Sequence, residues 1–304
     1  MSLRYNIIDA FAEQAFSGVP VAVFPQAEDI PASLRAVLAS EMLAADTVFI
    51  SKNPDKSFAL TAFHQGKVTA AGAHTMLAAA AGLVNDKQVH LESGKAEFSF
   101  ARPEGPVEVF VNTSSLHHPI LISQTITPNI DRYAPSPDEI SSTIGLSAND
   151  IASTRYTSLI VSCGKPYLFV PLKSYHALRE AAFHNREWSN SSLPQSFVDS
   201  LLLFAPNTDN KGGDFHARLL ERGAGATADP AIGEAMPAFA AYLCEQKNVQ
   251  AGTHSFSVRR GANDARQSLI QLEMDNEGAD SIKIRIGGSS VITTSAEVIS
   301  EIAI

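Results

Sequence analysis

Cysteine is nearly absent. The two present, Cys163 and Cys244, are too few for a disulfide framework and lack the spacing of metal ligands. Basic runs are missing as well: lysine and arginine never cluster beyond the Arg259-Arg260 pair, and the net charge is −9. A chain of that balance repels phosphate backbones, which excludes nucleic acid as a partner class. Nor is there a run of about 18 consecutive apolar residues, the length a membrane-spanning helix needs. The alanine-rich stretch from Ala71 to Val84 is apolar but too short. The opening residues show no charged segment followed by a long apolar core. No secretory signal is therefore expected, and the cytoplasm is the default location.

What is present suits a β-rich protein with ample core. Of 304 residues, 45% are hydrophobic and 18% charged, with 18 glycines and 16 prolines scattered as turn formers. The length matches roughly two ordinary domains. Short alternating runs read as strands. In the first half they are Tyr5–Phe11, Val21–Phe24, Thr47–Ser51, Ser57–Phe63, Ala96–Phe100 and Val107–Val111. In the second they are Thr157–Ser162, Tyr167–Leu172, Leu201–Phe204, Asp214–Leu220, Ser255–Arg259, Ser268–Met274 and Ser281–Ile286. Pro31–Met42 sets Leu34, Val37, Leu38 and Met42 on one helical face, and Pro137–Leu146 and Ser174–Phe183 also read as helices.

Two further helices are alanine-rich, one predicted to begin at Gly72 and the other at Gly233. Both are apolar nearly all round, so each is expected to be a central helix enclosed by sheet. Similar strands precede them, Phe58 to Phe63 and Phe215 to Leu220. The pattern points to an internal duplication, with chance similarity of two Ala-rich helices as the alternative. The expected fold is α+β: two similar domains, each a mostly antiparallel, barrel-like sheet around a central helix. The polar stretch Ser114 to Pro119 marks the boundary, giving domains of residues 1–118 and 119–304, with the last strand free to cross back.

Four segments, Asp9 to Phe24, Ala39 to Ile50, Ala71 to Ala80 and Gly223 to Ala235, together with the late Ile284 to Val291, resemble the phenazine-biosynthesis PhzF-like isomerase family. They run in order along nearly the whole chain. The resemblance implies a diaminopimelate epimerase-like architecture, with the active site in a cleft between the domains facing both central helix starts. It also implies proton movement on a carbon beside a carboxylate, without metal or cofactor, and a homodimer. Helix starts carry unpaired N–H groups and a positive dipole end, so they suit a small anionic substrate.

The site residues implied by the match depart from the family pattern. Asp46 takes the place of the family's acid/base Glu and is the candidate catalytic residue; its side chain is shorter by one methylene, which changes its reach by more than about 1 Å. The alternative is a local capping role. The family His falls on Ala73, and His74 lies one residue on, turned by about 100 degrees around a helix. Gly72, Ala73, His74, Asp229, Gly233 and Glu234 are the candidate substrate-binding residues. Asp229 with Pro230 matches the family's Asp-Pro; its alternative is an ordinary turn residue. Glu234 replaces a family Ser, and Val19 a family Asn. His64 reads as a polar strand end, and neither it nor His74 has acidic or thiol partners at ligand spacing, so no metal is expected. The two cysteines lie away from helix starts, which argues against a two-thiol racemase. The leading expectation is a cofactor-independent PhzF-like isomerase acting on a small carboxylated metabolite. A catalytically silent small-molecule-binding protein of the same fold, or an epimerase pairing Asp46 with Glu234, are the alternatives.

Overall fold

A computed structural model describes residues 3–115, 119–152, 154–207, 214–225, 229–261, 266–278 and 280–299. The expected boundary residues 116–118, and the Ala226–Ala228 part of the Gly223 to Ala235 segment, lie outside this set. Spatial proximity divides the chain into two compact units. The first is Met1–Gln124 completed by Ser268–Ile270 and Arg285–Ile304; the second is Thr125–Gln267 with Gln271–Ile284.

The first unit begins with β1 (Leu3–Ala10), β2 (Val19–Phe24), α1 (Ala32–Glu41), β3 (Asp46–Lys52), β4 (Phe58–His64) and β5 (Lys67–Thr69). It continues with α2 (Ala73–Asn85), β6 (Lys95–Ala101), β7 (Val107–Asn112) and β8 (Ile120–Ile126). The second contains β9 (Asn129–Asp131), α3 (Pro137–Ile144), β10 (Leu159–Ser162), β11 (Pro166–Pro171), α4 (Tyr175–Glu180) and α5 (Asn185–Asn190). After these come β12 (Ser200–Pro206), β13 (Phe215–Glu221), α6 (Met236–Cys244), β14 (Gly252–Arg260), β15 (Ser268–Asn276) and β16 (Ile282–Gly288). The last strand, β17 (Ser290–Val298), returns to the first unit and pairs antiparallel with β1.

The same strand logic is written twice. β2 runs parallel to β3, which pairs antiparallel with β4 from Asp46↔His64 to Lys52↔Phe58. β11 runs parallel to β12, which pairs antiparallel with β13 from Ser200↔Glu221 to Pro206↔Phe215. A central helix then carries the chain from β4 to β6 and from β13 to β14, both parallel pairs. Each unit is thus a mostly antiparallel sheet around one helix, the α+β arrangement read from the sequence.

Burial follows the residue pattern. In α2, Met76, Leu77, Ala78, Ala79, Ala80 and Leu83 are all essentially without solvent contact, as an all-apolar helix requires. Small side chains let strands approach: a Cβ on Gly82 would meet Val23 Cγ1 at 2.8 Å. The second unit encloses α6 with an aromatic cluster in which Phe239 and Tyr242 stack on Phe169 and meet Phe204 edge-on. Outside that, Ile140, Leu168, Leu178, Trp188 and Leu203 form a second layer under α3 to α5. α3 starts on a capping box in which Ser136 and Glu139 satisfy each other's backbone N–H groups.

Three expectations change. Val37 is exposed at 55%, because α1 fully buries only Leu38 and Ala39, packs Leu34 and Met42 partly against the core and turns Val37 to solvent. The short strands β5, β8 and β9, the long β17 and helix α5 had no matching element in the sequence reading. More consequentially, the second central helix begins at Met236, not Gly233. Pro237 explains this: it lacks the N–H that a helix starting at Gly233 would aim at the Gly233 carbonyl. Gly233 and Glu234 therefore lie in the turn before the helix.

The Ser17-Gly18 turn shows why one glycine is required. Gly18 has φ +66, and a Cβ there would sit 2.3 Å from the Ala10 carbonyl oxygen. Backbone cannot yield as a side chain can, so Gly18→Ala is expected to lose about 2–4 kcal/mol in urea unfolding. A loss under about 0.5 kcal/mol would show that the turn adapts.

Candidate active site

Asp46 is the first residue of β3 and is 6% exposed. The β3–β4 hairpin registers it directly opposite His64, so the two side chains share a face. His64 Nδ1 lies 2.9 Å from Asp46 Oδ1. From the start of α2, His74 brings its Nε2 to 3.4 Å from the other carboxylate oxygen, Oδ2. One buried carboxylate is therefore held between two imidazoles. Burial alone would raise its pKa; the hydrogen bonding and charge of His74, then of His64, outweigh that and hold the carboxyl below the usual aspartate range.

An ionised carboxylate only accepts, so the ring nitrogens facing it carry the protons. His64 is then protonated on Nδ1 and His74 on Nε2. The other ring nitrogen of His74, Nδ1, is buried and without a hydrogen-bond partner among the described residues. Its side chain is 9% exposed, whereas that of His64 is 52% exposed. Ala73 is buried beside it at 2%. Gly72 caps α2 without a side-chain acceptor, leaving first-turn N–H groups available. The expectation that neither histidine has an acidic partner fails, because β-pairing and the helix start converge on Asp46 from different parts of the chain.

The second unit holds its own polar groups. Asp229 has a side chain 6% exposed, its carboxylate oxygens have no hydrogen-bond partner among the described residues, and Arg260 Nε stands 3.6 Å from Oδ1. Arg260 also donates to the backbone carbonyls of Asp229, Pro230 and Arg266. Arg218, 1% exposed, donates to the carbonyls of Leu178, Arg179 and Ala181 at the end of α4. Burial raises the Asp229 pKa; Arg260 and then Arg218 pull against it without prevailing. Glu234 neighbours Tyr167, whose hydroxyl is pushed up by burial and then by the charges of Glu234 and Glu221. At the place corresponding to Asp46–His64, Ser200 donates to Glu221 at 3.2 Å, and Lys165 pairs with Glu221 at 3.0 Å.

The cysteines stand apart from these groups. Cys163 follows β10, Cys244 ends α6, and burial pushes their thiols to about 12 and about 11. Alkylation by iodoacetamide at pH 8 is expected to be at least about tenfold slower than for a free thiol, since thiolate is the reactive form. Rapid modification of the native protein would contradict this. Among the described residues, no group of three His, Cys, Asp or Glu side chains is arranged to hold a metal ion. Among them also, no helix is long and apolar enough to cross a membrane.

Two helix-centred sheets, one with a histidine-flanked carboxylate beside its helix start, make up a fold shared with PhzF-family structures. The family model described as phenazine biosynthesis-like protein, PhzC-PhzF, matches residues 8–296, and the chain belongs to that family. An uncharacterized isomerase of Mesorhizobium japonicum is 24% identical over 292 residues, covering 95% of this chain and 96% of that protein. The trans-2,3-dihydro-3-hydroxyanthranilate isomerase of Pseudomonas aeruginosa is 24% identical over 292 residues, covering 94% and 95%. A Bacillus anthracis phenazine biosynthesis protein of the PhzF family has the same fold, with a TM-score of 0.84 at 18% identity over 99% of this chain and 100% of that one. These relatives support an isomerase function.

Proposed function

We propose that this protein is a cofactor-independent isomerase that moves a proton on a small carboxylated metabolite, with Asp46 as acid/base. The observation that carries this reading is the Asp46 carboxylate, buried and flanked on both oxygens by imidazoles. Its ionised form can take a proton from carbon, and the flanking rings can balance the charge as the proton is held and returned. His74, Gly72 and Ala73 would meet the substrate at the start of α2. Asp229, Gly233 and Glu234 are the second unit's proposed substrate contacts. The reading includes a homodimer in the cytoplasm, which light scattering and fractionation test.

A silent binding protein is favoured by one feature: Val19, Ala73 and Glu234 replace polar residues of the family pattern, and Val19 and Ala73 are buried and apolar. Against it, His74 supplies an imidazole at Asp46 from the neighbouring helix position. The test is incubation with trans-2,3-dihydro-3-hydroxyanthranilate in D2O. Isomerisation with deuterium at carbon, lost in Asp46→Asn, is the expected result. Binding without conversion or exchange would favour the silent protein. In the same assay His74→Phe should lower turnover by about 10²-fold or more, the usual scale for an acid/base partner. Unchanged turnover would remove His74 from the site.

A further inference from the structure

Asp46 is shut away from water, yet a group that moves protons has to exchange them. Both of its oxygens face imidazoles. His74 is buried, its second nitrogen without a hydrogen-bond partner among the described residues. His64 differs: it ends β4, its side chain is half exposed, and its Nδ1 makes the shorter contact of the two. It is thus a ring with one nitrogen on the buried carboxylate and the rest reaching solvent. The strand pairing explains the placement, with Asp46 on one side of His64 and the exposed Lys67 opposite it across the β4–β5 hairpin.

We propose that His64 is the proton port of the Asp46 site, carrying protons between bulk water and the buried Asp46–His74 pair. The proposal rests on Asp46 being the proton-moving group. Water delivers a proton to His64 Nε2, and the ring passes its Nδ1 proton to Asp46 Oδ1. The carboxylate becomes the neutral acid, and the ring becomes the neutral Nε2–H form. Once Asp46 has given its proton up, the exposed ring turns Nδ1 to solvent, takes a proton there, releases the one on Nε2 to water and turns back as the Nδ1–H form. One proton crosses, no electron pair is transferred to another molecule, and no co-reactant is needed. His64 acts through Asp46 and touches no substrate, so it is a positioning and relay residue.

The port can be tested without a substrate. In protein labelled with 15N-histidine, the exchange rate of the His74 Nε2 proton with water is measured by NMR near pH 7. Wild type is compared with His64→Gln and His64→Phe. Glutamine can still hydrogen-bond Asp46 but cannot take a proton on one atom and release it from another. Both variants should slow exchange by at least about tenfold if the ring is the path. If His64→Phe fails to fold, His64→Gln alone decides. Equal exchange in wild type and His64→Gln overturns the port, and so does a His74 proton too fast to observe in every protein. Conversion of trans-2,3-dihydro-3-hydroxyanthranilate is measured in parallel. Its absence with slowed ring exchange would sink the isomerase reading while leaving the port standing. Conversion with unchanged ring exchange would do the reverse.

Discussion

Replacing Asp46 by asparagine is expected to lower isomerase turnover by about 10³-fold or more while leaving the fold intact, the loss typical of a missing acid/base. Asparagine has the same shape and can still meet the two imidazoles, but it neither ionises nor carries a proton to carbon. Asp46→Glu lengthens the side chain by one methylene and should cost roughly 10²-fold, because acid/base geometry is sensitive at about 1 Å. Stability gives an independent reading. The folded-state carboxyl lies below its ordinary value, so its contribution is present above the unfolded pKa and lost as pH falls through the folded one. The stability gap between wild type and Asp46→Asn should be steady from pH 5 to 7 and shrink below about pH 4. A gap that widens on acidification would mean the carboxyl is not held ionised by its histidines.

Arg260→Met should cost about 3–5 kcal/mol of stability, seen as a fall in urea midpoint, because it strips the cation from a buried carboxylate. The side chain of Asp229 is 6% exposed and that of Arg260 9%, so solvent cannot replace the lost partner. Carbonyls of Asp229, Pro230 and Arg266 lose a donor as well. Asp229 behaves oppositely to Asp46 with pH. Its folded pKa is already raised, so the preference for the neutral form adds stability below the unfolded pKa and is lost as pH rises through the folded value. Removing Arg260 leaves burial still less opposed, so the variant should recover stability toward pH 5 relative to pH 8. Adding Asp229→Asn should return part of the loss at pH 8, since the buried charge is gone. No recovery in the double variant would assign the whole effect to the carbonyl contacts.

The fold was legible because its signals are local. Alternating runs located most strands within a residue or two, and the all-apolar alanine stretches marked both central helices. The second helix starts at Met236 rather than at the matched Gly233, and Pro237 carries the better boundary signal. The site was only half legible. The resemblance points to Asp46 and His74, whereas His64 alone reads as a polar strand end. The missing information was register. Once Lys52 is set against Phe58 in the β3–β4 hairpin, Asp46 must face His64, and that pairing depends on turn geometry rather than on either residue alone. Arg218 and Arg260 carried no sequence signal either. Each sits in an alternating strand, and only the enclosed structure shows that these arginines face inward.

The pairing of β1 with β17 has a consequence for how the protein is made. Leu3 lies opposite Val298 and Ala10 opposite Ser290, so β1, made early, is flanked by β17, made late. The residues of the second unit end at Ile284, so it can close without β17. The first unit cannot. Until β17 emerges, β1 holds β2 on one side and an unpaired ladder on the other, an edge open to a neighbouring nascent chain. Joining ends nearly the whole chain apart adds only a slowly growing closure entropy, so the cost falls on order rather than on final stability. The inserted half finishes first and the enclosing half last, which makes the C-terminal strand the latch of synthesis. Truncation before Ser290 should therefore yield a folded second unit attached to an aggregation-prone first one.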